Sequence, residues 1–216
     1  MAHMEIGAVK PRLRGVFHQW AFFAAVAAGI VLVLLADGLR ERFATWIYVA
    51  ALAAMFGASA VYHRVDWRTP ARRAWARRLD HSTIFLFIAG TYTPFALLAF
   101  QGPLAAVVLV TVWTGALLGL SINLCWIDAP KWVGAIAYLA VGWVGVIALP
   151  QLFSSLGIGA AVLVIVGGLL YTLGAVVYGI RRPDPFPAIF GYHEVFHVLV
   201  VAAAVVQFVA VSLIVL

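Results

Sequence analysis

Seven stretches of roughly twenty residues, each long enough to cross the hydrocarbon core of a bilayer as a helix, take up most of this chain of 216 residues. They are 16–35, 44–62, 83–100, 104–123, 132–149, 158–178 and 193–216. Six contain no Asp, Glu, Lys or Arg, and the seventh contains only Glu194. Burying them all inside a water-soluble domain is excluded. Hydrophobic residues make up 65 % of the chain and charged residues 10 %, against roughly 45–50 % and 25 % in soluble domains, which leaves too little polar surface to face water. Only helices and closed barrels satisfy their backbone in lipid, and stretches of this length are helical ones. The fold class expected is therefore an all-α integral membrane protein, a seven-transmembrane helix bundle.

The organisation expected is a short segment, 1–15, followed by one membrane domain, 16–216, because the connectors are too short for anything more. Met1-Ala2-His3-Met4 looks like a cloning scar, and 16–35 is too long for the apolar core of an ordinary cleaved signal peptide. The single cysteine, Cys125, excludes an internal disulfide. Orientation follows from the basic residues. Twelve of the 14 Lys and Arg, among them Lys10, Arg12, Arg14, Lys131, Arg181, Arg182 and the six arginines between 64 and 78, fall in alternate connectors, whereas the other side has only Arg40 and Arg42. The positive-inside rule puts the N-terminus in the cytoplasm, and seven crossings put the C-terminus outside. The net charge of +6 reads as topology and attraction to anionic headgroups at the inner face rather than as nucleic-acid binding. Thr69-Pro70 marks a helix start running into the third span. Pro94 should kink that span, Gly115 and Gly119 form a close-packing pair in the fourth, and Gln207 should bond another helix.

In a chain this apolar, ionisable residues within or beside the spans are candidates for a site. Ser59 and His63 lie at the end of the second span, Asp80 and His81 at the start of the third, and His193, Glu194 and His197 at the start of the seventh. The expected topology brings all three groups to one depth at the cytoplasmic face. His193 and His197 are spaced i, i+4, which aligns both imidazoles on one helix face. Such a pair alone reads equally well as interfacial packing. A third histidine with a carboxylate at the same depth favours a metal, since three histidines around zinc leave a tetrahedral position for water. His193-Glu194-Val195-Phe196-His197 also fits H-E-x-x-H, with the glutamate as base, but 198–216 offers no further ligand. The third ligand must come from upstream, His63 or else His81. His18, near the start of the first span, reads as interfacial.

Ser59-Ala60-Val61-Tyr62-His63, then Arg78-Leu79-Asp80-His81-Ser82, then His193-Glu194-Val195-Phe196-His197 resemble the three motifs of the hemolysin III family, the bacterial branch of the progestin and adipoQ receptor family, which is more distantly similar to alkaline ceramidases. The resemblance covers all seven spans. It implies a zinc ion near the inner face held by His63, His193 and His197, with Asp80 contacting it through a water and Ser59 in the same constellation. It also places the chain in a bacterial inner membrane. Glu194 matches a position that is often glutamine in the related receptors, so it and His81 are expected as supporting groups or an alternative base.

The first functional expectation is a zinc-dependent hydrolase of a lipid amide or ester, with Asp80 and Ser59 as catalytic residues and a membrane lipid or fatty-acyl chain between the helices. The alternative is a non-enzymatic sensor of membrane lipid whose zinc is structural. A lytic, hemolysin-type role has the least support, because no ring of charges traverses the bundle. No protein partner can be inferred.

Overall fold

A computed structural model describes residues 10–126 and 128–216; the first nine residues of the expected 1–15 segment lie outside the described residues. Among the described residues the regular elements are helices, with one isolated bridge between Phe186 and Phe190. Its helices are α1 (Val16–Leu35), α2 (Leu39–Arg64), α3 (Pro70–Pro94), α4 (Pro103–Cys125), α5 (Lys131–Gly142), α6 (Leu149–Ile180) and α7 (Tyr192–Val215). Neighbours in sequence pack as neighbours in space, and α1 against α7 closes the ring. The third helix is the inner one: 61 % of its most apolar window is buried, against 22 % for α1 and for α4. Trp20, Leu34, Trp46, Leu118, Ile158 and Leu213 stand exposed on the outside, an apolar surface suited to lipid and not to water.

Six helices among the described residues are long and apolar enough to cross a membrane, where the sequence predicts seven. The difference lies in Trp132–Ile180, a single run of 49 residues. No polar loop divides it. It runs from α5 through a 3-10 segment, Trp143–Ala148, into α6, and is broken only at Gly157, whose φ of 75° and ψ of 175° are not helical. Glycine is the residue that adopts a positive φ without steric penalty. The 3-10 segment leaves backbone groups unpaired in a solvent that cannot satisfy them. Tyr92 on α3 meets this need, its hydroxyl donating to the Gly142 carbonyl and accepting from Gly145 N at 2.9 Å.

Four connecting regions meet at one end of the bundle. Arg12 N and Leu13 N donate to the Ala188 and Ile189 carbonyls at 3.1 Å, Lys10 lies 3.8 Å from Asp66, and Arg77 pairs with Asp128 at 2.5 Å. At the other end Gln151 accepts from Gln101 N at 2.9 Å and its amide donates back to the Gln101 carbonyl at 3.3 Å. The expected start of α3 is met. Thr69 caps the helix by accepting from Arg72 N, with Pro70 in the first turn. At its other end α3 stops at Pro94, whose own backbone stays helical, and the chain passes into a π-helical turn, Phe95–Ala99.

Small residues set the helix separations. A Cβ on Gly119 would stand 2.3 Å from the Phe85 ring, and one on Gly90 2.5 Å from the Ala51 methyl. Phe85 is itself buried against Tyr138, with ring centroids 4.5 Å apart, so it has nowhere to retreat. Gly119→Ala should therefore lower stability by about 1–3 kcal/mol through overpacking. Gly159→Ala, where a methyl meets nothing within 4 Å, should leave stability unchanged or slightly raised. Thermal unfolding of both variants in detergent checks the contrast.

Candidate metal centre

The centre is built where α2 ends, α3 passes and α7 begins. The connector before α7 is rich in proline, with Pro183, Pro185 and Pro187, which keeps it irregular until Gly191 caps the helix. Glu194 Oε2 accepts from Gly191 N at 2.8 Å, the glutamate half of a capping box, and so satisfies a backbone donor at the start of the helix. Its other oxygen accepts from Arg14 Nε at 2.5 Å, and the carboxylate is fully buried. Both oxygens of Glu194 are thus engaged in fixing the first turn of α7 against the approach to α1.

With α7 so placed, His193 and His197 face His63 from α2. The ligand-capable atoms of these three buried histidines all lie within 4.8 Å of one another, and His63 Nε2 stands 3.2 Å from His193 Nε2. In a tetrahedral centre with metal–nitrogen bonds of 2.0–2.1 Å, ligand nitrogens are about 3.3 Å apart. The His63–His193 pair already has that spacing. Three buried imidazoles at this spacing suit a borderline-soft divalent ion, so the donor set fits a metal.

Around the three histidines lie the other polar groups of the site. Asp80 Oδ2 is 3.8 Å from His63 Nε2 and 3.4 Å from His81 Nδ1. The His81 Nδ1 also lies 2.9 Å from the Arg77 carbonyl one turn back, and its Nε2 is 3.5 Å from the Tyr178 hydroxyl. His81 therefore stands outside the trio, beside Asp80. Ser59, one turn before His63, is bonded through Oγ to His18 Nδ1 at 2.8 Å.

His18 is the residue that sequence reasoning misplaced. Rather than sitting at the interface it is 97 % buried, given its 3 % exposure, and its ring stacks on His197 with centroids 3.8 Å apart and planes 14° from parallel. The reason is Gly15. With φ at +78°, and with space for a Cβ only 2.5 Å from the His63 Cβ, Gly15 lets α1 start directly against the end of α2 and carry His18 inward. The available signal was an ionisable residue inside an apolar stretch, at the depth of the other histidines. Arg14, by sequence a topological charge, holds the buried Glu194.

A cavity of about 200 Å³ opens from this centre. His18, Ser59, Asp80 and His197 line one end, and the walls towards the bundle interior are mainly apolar, including Ile88, Phe95 and Leu152. Chemically the arrangement combines a site for a Lewis acid, a buried carboxylate and a hydroxyl at the mouth of a space suited to a hydrocarbon chain.

Comparison with known proteins agrees with these motifs. Residues 6–208 match the family described as Haemolysin-III related. Over 130 residues the chain is 35 % identical to the hemolysin-3 homolog of Bacillus subtilis and 33 % identical to hemolysin-3 of Bacillus cereus, in each case over 60 % of this chain. These alignments span 58 % and 57 % of the two Bacillus proteins, little more than half of their length. A longer alignment, 197 residues at 28 % identity, covers 90 % of this chain and 79 % of the human monocyte to macrophage differentiation factor.

The Arg14–Glu194 pair yields a stability test independent of any activity. Replacing Arg14 with Met leaves a buried carboxylate without its cation, which should reduce stability by about 3–5 kcal/mol. Adding Glu194→Gln removes the uncompensated charge while keeping a group for Gly191 N, and should restore most of the loss. Thermal unfolding of the single and double variants reads the difference.

Proposed function

This chain belongs to the Haemolysin-III related family, and from that premise we propose that it is a zinc-dependent hydrolase of a lipid amide or ester working inside a bacterial inner membrane. The observation that carries the reading is the convergence of His63, His193 and His197 within 4.8 Å, with Asp80 alongside, at the mouth of an apolar cavity. The three histidines would hold the metal. Bound zinc supplies Lewis acidity, polarising a carbonyl and lowering the pKa of water towards 7. Asp80 takes a proton from the attacking water through Oδ2 as the new carbon–oxygen bond forms, and returns it to the amine or alcohol as the scissile bond breaks. Ser59 Oγ, oriented by His18, donates to the oxyanion that develops. The apolar cavity holds the acyl chain and keeps bulk water away.

The proposed topology has seven crossings, with the N-terminus cytoplasmic. Trp132–Ile180 crosses twice in this reading: at about 1.5 Å per residue its 49 residues exceed two hydrocarbon thicknesses of about 30 Å. The Gln151–Gln101 pairing supports a reversal near the middle of the run, with Asp128 and Ala188 at the opposite end on either side of it. The metal centre then lies at the inner face, beside the exposed arginines Arg68, Arg72 and Arg73, which would contact anionic headgroups.

A second reading, a lipid sensor with structural zinc, draws on one distance. Asp80 Oδ2, 3.8 Å from His63 Nε2, is near enough to become a fourth ligand and close the site. Elemental analysis of detergent-purified protein, paired with a lipid amide hydrolysis assay, separates the two. The hydrolase reading expects one zinc per chain, lost in His63→Ala and His197→Ala, and an Asp80→Ala variant that keeps most of its zinc and loses at least a hundredfold in turnover. Wild-type protein that binds zinc without turnover, and loses it with Asp80→Ala, selects the sensor.

A further inference from the structure

The cavity does not remain apolar. Away from the histidines its lining includes Tyr171 on α6 and Gln207 on α7, and both bring buried polar atoms that lack any hydrogen-bond partner: the Tyr171 hydroxyl and Gln207 Oε1. Gln207 is only 6 % exposed. Its amide orientation is fixed, because Nε2 donates to the Val164 carbonyl at 3.2 Å, and turning the amide over would set two acceptors against each other. Oε1 is therefore the atom left over.

The two orphans lie about one helical turn apart along the contact of α6 with α7. Gln207 packs on Gly167, where a Cβ would be 2.8 Å from its Nε2, and Tyr171 is one turn from Gly167 on the same face of α6. Helical side chains lean towards their own N-terminus. On α6 that direction leads from Tyr171 towards Gly167, and on α7 it leads from Gln207 back towards His197, so the side chains converge. A buried polar group without a partner is costly in an apolar interior, and two together beside a cavity form a site for a polar group of a ligand.

We infer that Tyr171 and Gln207 form a distal subsite for a hydroxyl group carried partway along an acyl chain. A hydroxyl both donates and accepts. It would donate to Gln207 Oε1 and accept from the Tyr171 hydroxyl, whereas a carbonyl or ether only accepts and leaves Oε1 unpaired. Distance sets the position on the chain. Gln207 follows His197 by ten residues, about 15 Å along α7, and an extended chain advances about 1.2 Å per bond. The hydroxyl thus falls about twelve bonds from the group at the histidines. This inference rests on the reading of the cavity as an acyl-chain site.

The test is competition between octadecanoic acid and its 12-hydroxy derivative for detergent-purified protein, read by native mass spectrometry. The expected result is retention of the hydroxy acid about tenfold over the plain acid. That preference should vanish in Gln207→Leu and in Tyr171→Phe while both variants still retain octadecanoic acid, which also shows them folded. The 2-hydroxy derivative, with its hydroxyl at the histidine end, should show no such preference. Equal retention of the plain and 12-hydroxy acids by the wild type overturns the subsite and leaves the acyl-chain reading standing, with water meeting the two orphans. A preference that survives both substitutions also overturns it. Retention of neither acid overturns the subsite and the acyl-chain reading together.

Discussion

A hydrocarbon solvent offers no partner to a polar group, and this one constraint organises the whole molecule. The outside of the bundle is given over to side chains such as Leu34, Ile158 and Leu213, so almost every polar side chain that has to be within the spans must be inside and must be answered by another. The result is concentration. His18, Ser59, His63, Asp80, His193, Glu194 and His197 come from four helices and are all buried, close to the end where the basic connectors meet. The same solvent explains two answers to irregular backbone: Tyr92 serves the 3-10 segment, and the Gln101–Gln151 pairing serves the turns at the far end.

Glycine and arginine at the start of the chain matter more to this arrangement than their positions suggest. Gly15 permits the contact between α1 and the end of α2, and Arg14 neutralises the carboxylate that starts α7. Neighbouring residues thereby fix two of the helices that carry the histidine cluster. Glu194, placed by sequence in an H-E-x-x-H pattern, is committed to Arg14 and Gly191 N through both of its oxygens. Its role in the structure is to orient the helix bearing His193 and His197.

Much of this was legible in the residues because lipid makes sequence patterns simple. Uncharged runs mark helices, and the few ionisable groups inside them mark the place where helices must agree. The spacing of His193 and His197 and the common depth of His63 and Asp80 were readable in that way, as were the Thr69-Pro70 start and the interhelical bond of Gln207. The number of separate spans was less so. Between 149 and 158 the sequence suggests a loop, yet helical backbone continues there with only Gly157 departing from it, since a turn among short or apolar residues need not unwind the chain. His18 was lost for a different reason: whether a residue near a helix start faces headgroups or the interior depends on how the helix is tilted and packed. That was decided by Gly15, through a contact with α2 that local pattern does not encode. The unpaired atoms of Tyr171 and Gln207 depend similarly on the meeting of α6 and α7.

The π-helical turn after Pro94 has a consequence for how related chains should be compared. Its Phe100 N reaches back to the Phe95 carbonyl, a ring one residue wider than the α-helical one. The turn therefore absorbs an extra residue without lengthening the connector, and it rotates everything beyond it relative to the face that carries Asp80. In an alignment, that segment is the natural home for a one-residue gap. A relative lacking one residue within 95–99 would regain ordinary helical phase there while keeping both its carboxylate and its α3–α4 turn in register with the rest of the bundle.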